Sequence, residues 1–127
     1  MQDKPIELNL ESMDAIFIPF NKDKSVDVEK NYIIDNYLDK SHNMGYSMVR
    51  THLDGKHPLM KNIISNRTYY IIDGDACFNV EDKEYVLKKG DTLTIPKDTL
   101  YKFDGKFDAI LISCPAFEEK YDVIYRD

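Results

Sequence analysis

Two side chains that can transfer protons, Tyr101 and His52, lie in strand-like parts of this 127-residue chain. Tyr101 and Phe103 are two positions apart in "LYKF", so strand alternation places both on one face. His52 carries an imidazole, the side chain that titrates near neutral pH. If His52 points into the fold, it is the candidate general base, with Tyr101 as the second proton-transfer group. The alternative for Tyr101 is a core aromatic whose hydroxyl bonds to a backbone carbonyl.

The other histidines give no clear motif. His42 lies in the polar run "DKSHN", which is typical of a solvated loop, and His52 and His57 flank the turn "LDGK". A spacing of five residues fits no known metal motif, so a metal held by His52, His57 and Tyr101 is the less favoured alternative. The sequence also lacks a Ser-His-Asp order and a glycine-rich phosphate loop.

Composition restricts the class of partner and compartment. The formal net charge is −6, from 23 acidic and 17 basic residues, which disfavours nucleic acid and anionic membrane as partners. Cys77 and Cys114 have no CxxC spacing and lie in apolar runs, so we expect two buried free thiols in a reducing compartment. The start of the chain has no basic segment followed by an apolar one. These observations predict a cytoplasmic protein.

The elements that must position Tyr101 and His52 are short strands. Turn residues divide the second half into "TYYIID", "ACFNV", "EYVLKK", "TLTI", "LYKFDG" and "FDAILIS", with Gly74, Gly90 and Pro96 as boundaries. Such strands bury a face by closing into a small barrel or pairing as a sandwich. The sequence therefore predicts an all-β domain.

The first half is less regular. Residues 13–20 and 45–55 are predicted strands, and the second of these ends in a turn at Gly55. Residues 26–40 fit either an amphipathic helix or a strand leading into a hairpin. Their β-branched and aromatic residues favour the strand.

The segment from Gly55 to Phe117 resembles the conserved region of the cupins, which are small jelly-roll β-barrels. One cupin motif has a glycine, five residues, a proline, one residue, a glycine, two residues and a histidine. Gly90 and Pro96 match this motif, Asp98 replaces its second glycine, and Tyr101 replaces its histidine. The other motif ends in a glycine, which Gly74 fits.

The resemblance also locates the positions that usually bind a metal in cupins. Counting back from Gly74 puts Arg67 at the glutamate position and Met60 and Asn62 at the paired histidines, while Tyr101 takes the fourth position. A thioether, a neutral amide, a guanidinium and a protonated phenol are poor donors for iron, manganese, nickel or zinc. The resemblance thus implies a cupin-like jelly-roll barrel that binds no metal and needs no cofactor.

The same replacements predict a ligand class. Arg67 reverses the charge of the usual glutamate, and a guanidinium matches carboxylate or phosphate through paired hydrogen bonds. Alternation places Tyr69 on the face of Arg67, and Tyr101 and Phe103 are expected on the opposite wall. Met60 and Asn62 would lie at the mouth, and Arg50 would enter the site together with His52 on its face. The alternatives are an outward Arg67 paired with Glu81 or Asp82, a Met60 that only packs, and an Asn62 that caps a turn.

Three functions follow as hypotheses. The leading one is a metal-free cupin domain, spanning residues 1–127, that binds a small polar or anionic molecule such as a sugar or organic acid. Its subdivision would be an N-terminal arm (1–44), the conserved barrel (45–117) and a C-terminal segment (118–127). The second is an isomerase, epimerase or cyclase that uses His52 or Tyr101. The third is a structural module with a filled barrel, in a homodimer formed when residues 13–20 add to the partner's sheet.

Overall fold

The computed structural model describes residues 14–126. These residues form eight β-strands, along which buried and exposed side chains alternate. The strands are β1 (Val26–Glu29), β2 (Tyr32–Leu38), β3 (Ser47–Asn62), β4 (Asn66–Val80), β5 (Lys83–Lys88), β6 (Thr92–Ile95), β7 (Tyr101–Cys114) and β8 (Asp122–Tyr125). Single 3-10 turns lie at Lys22–Lys24, Lys40–His42 and Glu119–Tyr121. The predicted all-β class is confirmed. No helix in the described range has the length and apolar character needed to cross a membrane.

All strand pairs are antiparallel and follow the order β1-β2-β3-β7-β4-β5. The short strands β6 and β8 are added beside β4 and β3. Because β1 and β5 end this path without pairing with each other, the sheet folds over as a jelly-roll-like sandwich rather than a closed barrel. The three long strands β3, β4 and β7 contribute to both layers, and the core lies between the layers.

Glycines bend the long strands instead of ending them. The predicted boundaries at Gly55 and Gly74, and the break between "LYKFDG" and "FDAILIS", are wrong, because β3, β4 and β7 continue through them. Gly74 has a φ of +83°, and a Cβ there would lie 2.1 Å from the carbonyl oxygen of Lys106. Gly105 has a φ of +128°, and a Cβ there would lie 2.4 Å from the carbonyl oxygen of Asp75 on β4. At such positions glycine lets paired strands bend sharply without leaving the ladder.

The N-terminal region confirms one prediction and corrects another. Residues 26–40 contain the strand hairpin β1–β2, whose turn at Lys30 and Asn31 uses a left-handed Asn31 (φ 60°). The strand predicted for 13–20 is wrong for residues 14–20, which belong to no strand or helix, while Met13 is outside the described residues.

Strand alternation also corrects the prediction for the cysteines. Cys77 lies between the inward-facing Ala76 and Phe78 and is half-buried, whereas Cys114 follows the buried Ser113 and is exposed. Both thiols are free. Their apolar neighbours in sequence suggested burial, but a period of two places both side chains on the outer face.

Candidate functional site

The interior contains a chain of hydrogen bonds that joins β7 and β4. The hydroxyl of Tyr101 lies 2.7 Å from the hydroxyl of Tyr69, and Nη1 of Arg67 donates to the Tyr101 hydroxyl at 3.1 Å. Arg67 and Tyr69 point inward because they alternate with the outward Thr68 and Tyr70 on β4. Side-chain groups, rather than a backbone carbonyl, therefore bond the Tyr101 hydroxyl.

Arg67 is held in place by the C-terminal part of the chain. Its Nη2 donates to Oδ1 of Asp122 at 2.9 Å, and its guanidinium carbon lies 5.4 Å from the centre of the Phe117 ring. The Arg67 side chain is 5% exposed, so it points inward rather than outward to Glu81 or Asp82. Its Nε is buried and has no hydrogen-bond partner among residues 14–126.

Met60 and Asn62 flank Arg67 on β3. The sulfur of Met60 lies 3.9 Å from Nη1 of Arg67, and the residue is buried. Asn62 donates through Nδ2 to Asp122, and its Oδ1 accepts from the backbone N–H groups of Ile64 and Ser65. Asn62 thus caps the turn after β3 and orients Asp122.

Aromatic rings form the wall next to this polar cluster. Phe103 stacks against Phe78 with ring centres 4.9 Å apart, and Tyr69 packs against both of them. On its other side Phe103 stacks on His57, with ring centres 4.6 Å apart and planes 9° apart. Tyr32 closes this wall by packing edge-on against His57.

His57 is an interior residue that the sequence reasoning missed. Its Nδ1 lies 2.8 Å from the carbonyl oxygen of Pro58, so Nδ1 carries the proton and Nε2 keeps its lone pair. The missing signal was alternation along β3, because Thr51, Leu53 and His57 are all buried and an even number of positions apart. The predicted strand 45–55 ends before His57, so the alternation along it does not reach this residue.

Burial fixes the protonation of the interior groups. Burial, reinforced by the neighbouring phenol of Tyr101, raises the pKa of Tyr69 and Tyr32 above the usual tyrosine value. Burial lowers the pKa of His57, which favours neutral imidazole. Burial also disfavours the charged guanidinium of Arg67, but the oxygens of Tyr101, Tyr69 and Asp122 outweigh this effect and raise its pKa. At neutral pH the cluster combines a cation, a neutral base and hydroxyl donors.

The structure separates Arg50 and His52 from this cluster. Both residues lie on the outer face of the sheet, because they alternate with the buried Thr51 and Leu53 on β3. They therefore do not join Tyr101, as the sequence-based hypothesis of a common site required. A groove of about 710 Å³ runs beside His52 and Asp108 on this face, and neither Arg67 nor Tyr101 lines it.

On the outer face His52 bridges two carboxylates. Its Nε2 lies 2.7 Å from Asp35 and its Nδ1 lies 2.9 Å from Asp108, while Arg50 donates to the other oxygen of Asp108. Burial raises the pKa of Asp35, but hydrogen bonds from Ser25 and His52 outweigh burial and leave it lowered. This network ties the β1–β2 hairpin to β3 and β7, and both ring nitrogens of His52 are occupied.

Comparison with solved structures decides the fold. The chain superposes on the nucleoside dehydratase Pac13 of Streptomyces with a TM-score of 0.74 at 20% identity, covering 87% of this chain and 92% of that one. Ectoine synthase from P. lautus gives 0.76 at 14% identity (88% and 91% covered), and KdgF from Halomonas sp. gives 0.69 at 15% (83% and 99%). All three are cupin-fold proteins. This chain has the cupin fold.

The identities are low enough that this likeness concerns the fold and not the activity. No protein family profile and no curated protein sequence matches the chain. Variants of the Streptomyces protein with a tyrosine or a histidine replaced have been solved with uridine.

The residues at the positions that usually bind a metal in cupins do not fit a metal ion in this chain. The amide of Asn62 donates through Nδ2 and accepts through Oδ1, so both of its polar atoms are engaged. The guanidinium of Arg67, which contacts Met60 and Tyr101, has no lone pair to offer a metal. A divalent cation there would meet the charge of Arg67 at close range. Within residues 14–126, no group of three His, Cys, Asp or Glu side chains is arranged to bind a metal ion.

Proposed function

We propose that this cupin binds a small polar or anionic molecule, of the sugar or organic-acid type, in the interior at Arg67, Tyr69 and Tyr101. The observation that carries the proposal is a buried guanidinium with an unpaired Nε beside two linked phenols and an aromatic wall. Small-molecule sites usually combine apolar walls with a few convergent polar groups. Phe103 and Met60 provide apolar surface in this site. Arg50 is not part of the proposed site, because it lies on the outer face of the sheet.

We propose further that binding needs no metal or other cofactor. The support is the chemistry of the donors, since Arg67 and the engaged amide of Asn62 replace groups that would coordinate a cation. Adding Mn²⁺, Ni²⁺ or Zn²⁺ to purified protein should leave its melting temperature unchanged. A saturable increase that Tyr101→Phe and Met60→Leu abolish would contradict this part of the proposal.

The binding test uses a hydroxyl deletion with a matched control. Thermal-shift and NMR screening of sugars, sugar phosphates, organic acids and uridine identifies ligands, and Tyr101→Phe removes one interior hydroxyl. We expect this variant to weaken binding by about three- to tenfold. Tyr70→Phe makes the same change at an exposed position on the opposite face of β4 and should have no effect. Affinities that both variants leave unchanged for every ligand would contradict an interior site.

A second candidate function is an enzyme that moves a proton on such a ligand. His52 is bonded to two carboxylates on the outer face, so we assign the base to His57 and keep Tyr101 as the acid. The supporting observation is that His57, in the same aromatic wall, carries its proton on Nδ1 and a lone pair on Nε2. The solved complexes of the nucleoside dehydratase with uridine make uridine a suitable first probe. Turnover of a bound ligand that His57→Gln abolishes while binding persists is the expected result, and turnover that survives this change would exclude His57.

We also propose that the protein is a cytoplasmic homodimer. Phe17, Phe20 and Ile16 in the N-terminal segment are exposed, with Phe17 exposed by 86%, and within residues 14–126 the strand β1 pairs with β2 on one edge only. An apolar extended segment and an open edge in one chain can pair reciprocally between two copies. The exposed free thiol of Cys114 fits a reducing compartment.

A further inference from the structure

The interior cluster is closed to solvent. Arg67 is 4% exposed, and Tyr69 and Tyr101 are each 1% exposed. A molecule can therefore reach these groups only if a covering part of the chain moves aside. The hydrogen bonds of Arg67 indicate which part this is.

Residues 115–125, which we call the C-terminal strap, cover Arg67. Asp122 receives a hydrogen bond from its guanidinium, and the Phe117 ring lies against the same group. The strap includes the four-residue strand β8, which pairs with β3 alone. None of its residues is fully buried, in contrast to Tyr69 and Tyr101 beneath it.

Outside β8, four further contacts attach the strap to the rest of the chain. The hydroxyl of the buried Ser65 donates to the Pro115 carbonyl at 2.8 Å, and the N–H of Phe117 donates to the buried Ser47 at 2.9 Å. The N–H of Ile63 donates to the Tyr121 carbonyl at 3.0 Å, and Glu118 pairs with the exposed Lys40. Segments with little buried surface open at lower free energy than the core does. Opening of the strap would break these contacts and the pairing of β8 with β3, and it would leave the pairing of β4 with β7 intact.

Asp122 satisfies Arg67 incompletely. One oxygen, Oδ1, accepts from both Arg67 Nη2 and Asn62 Nδ2, and the adjacent Nε of Arg67 has no partner in the part of the chain that the structure describes. Nε and Nη2 form one edge of the guanidinium, and this edge matches two oxygens of a carboxylate or phosphate. Asp122 thus bonds to one of the two nitrogens on this edge, Nη2, and not to Nε.

We propose that Asp122 occupies an oxyanion subsite at Arg67, and that a carboxylate or phosphate group of the ligand takes its place when the C-terminal strap opens. The inference rests on the proposed interior site and specifies the charged part of its ligand. The incoming oxyanion bonds to Nε and Nη2 together, and it also accepts from the Asn62 amide that Asp122 releases. The strap is then both lid and internal competitor.

The test removes the competing charge while keeping its shape. Asp122→Asn and the matched control Glu119→Gln each remove one strap carboxylate, but Glu119 is exposed and makes no recorded contact with Arg67 within residues 14–126. Inorganic phosphate and acetate are titrated separately at constant ionic strength and followed by NMR. We expect Asp122→Asn to bind one of them at least about tenfold more tightly than the unmodified protein, because the closed state no longer competes. Adding Arg67→Lys should remove the gain, and the anion that responds identifies the oxyanion class.

Folded Asp122→Asn protein with the same anion affinity as the unmodified protein overturns the inference. If Asp122→Asn does not fold, hydrogen exchange on the unmodified protein decides. Saturating phosphate or acetate should then speed exchange of the β8 amides relative to those of β4, and unchanged exchange overturns the inference.

The two proposals fail in different ways. Suppose that a neutral ligand depends on Tyr101 for binding, and that the affinities for phosphate and acetate do not change in Asp122→Asn. The interior site is then retained and the oxyanion subsite is rejected. If Tyr101→Phe weakens the binding of no ligand, both proposals are rejected.

Discussion

A guanidinium buried beneath an aromatic wall must find its hydrogen-bond partners within the protein, since bulk water does not reach it. Arg67 finds them in Tyr101 and Asp122, and Asn62 shares the Asp122 oxygen. Pairs of this kind are costly to break because the partner that remains is left buried and charged. The ion pair consequently links the ligand site to the stability of the fold.

This coupling predicts the effect of removing one partner. Arg67→Met should lower the free energy of unfolding by about 3–5 kcal/mol, since it leaves the Asp122 carboxylate without its cation. Lys61→Met makes a similar change in a more exposed pair with Asp98 and should have a much smaller effect, because solvent screens that pair. Urea unfolding followed by circular dichroism measures both values. Equal costs for the two variants would contradict a buried structural pair.

His57 predicts a pH dependence at the same scale. Burial lowers its pKa below the ordinary 6.5, so the unfolded chain binds the proton more readily than the folded one. Its contribution to stability is complete above about pH 6.5 and is lost as the pH falls toward the folded-state pKa, with a slope of at most about 1.4 kcal/mol per pH unit. His57→Gln should remove this part of the profile measured between pH 7 and 5.

The surface histidine provides the control for that measurement. His42 lies in the turn after β2, where its Nδ1 accepts from the N–H of Asp39. His42→Gln should retain the loss of stability below pH 6.5, because His57 is still present. If the loss of stability at low pH disappears in His42→Gln and remains in His57→Gln, it belongs to His42. This result would reject the prediction.

At the scale of elements, the close crossing of β4 and β7 depends on Gly74. Gly74→Ala should destabilise the protein by about 3 kcal/mol or more, because its Cβ would meet the Lys106 carbonyl oxygen at 2.1 Å. Gly90 also has a positive φ (+94°), but a Cβ there meets nothing within 4 Å. Gly90→Ala should therefore cost about 1–2 kcal/mol, the backbone strain alone. Thermal unfolding of the two variants separates steric conflict from strain, and similar losses would exclude the conflict.

The elements also explain which site residues could be predicted. Strand alternation placed Arg67, Tyr69 and Ile71 on the inner face of β4 correctly. The same rule places His57 on the inner face of β3 only if the strand continues through Gly55, and Gly55 also fits the end of a strand. A glycine marks either a turn or a bend within a strand, and the sequence does not distinguish the two.

At the scale of the whole molecule, the proposed homodimer predicts a mass of twice one chain in light scattering after size exclusion. Phe17→Ser combined with Phe20→Ser should shift this mass to that of a monomer, because it removes the exposed apolar side chains of the N-terminal segment. Val86→Ser, at a position on β5 that is 64% exposed, is the control and should leave the dimer intact. An unmodified protein that is monomeric at tens of micromolar would reject the dimer.

The sequence by itself determined the all-β class and the inner face of β4, because strand periodicity and turn residues are local properties of the chain. The cupin-like arrangement was implied by the resemblance of Gly74, Gly90 and Pro96 to the family's motifs. Tertiary structure alone decided that His52 faces outward, that the sheet stays open, and that Asp122 neutralises Arg67. The last contact joins residues 55 positions apart. Local patterns carry no information on such partners, since the folding of the C-terminal strap over the sheet creates the contact.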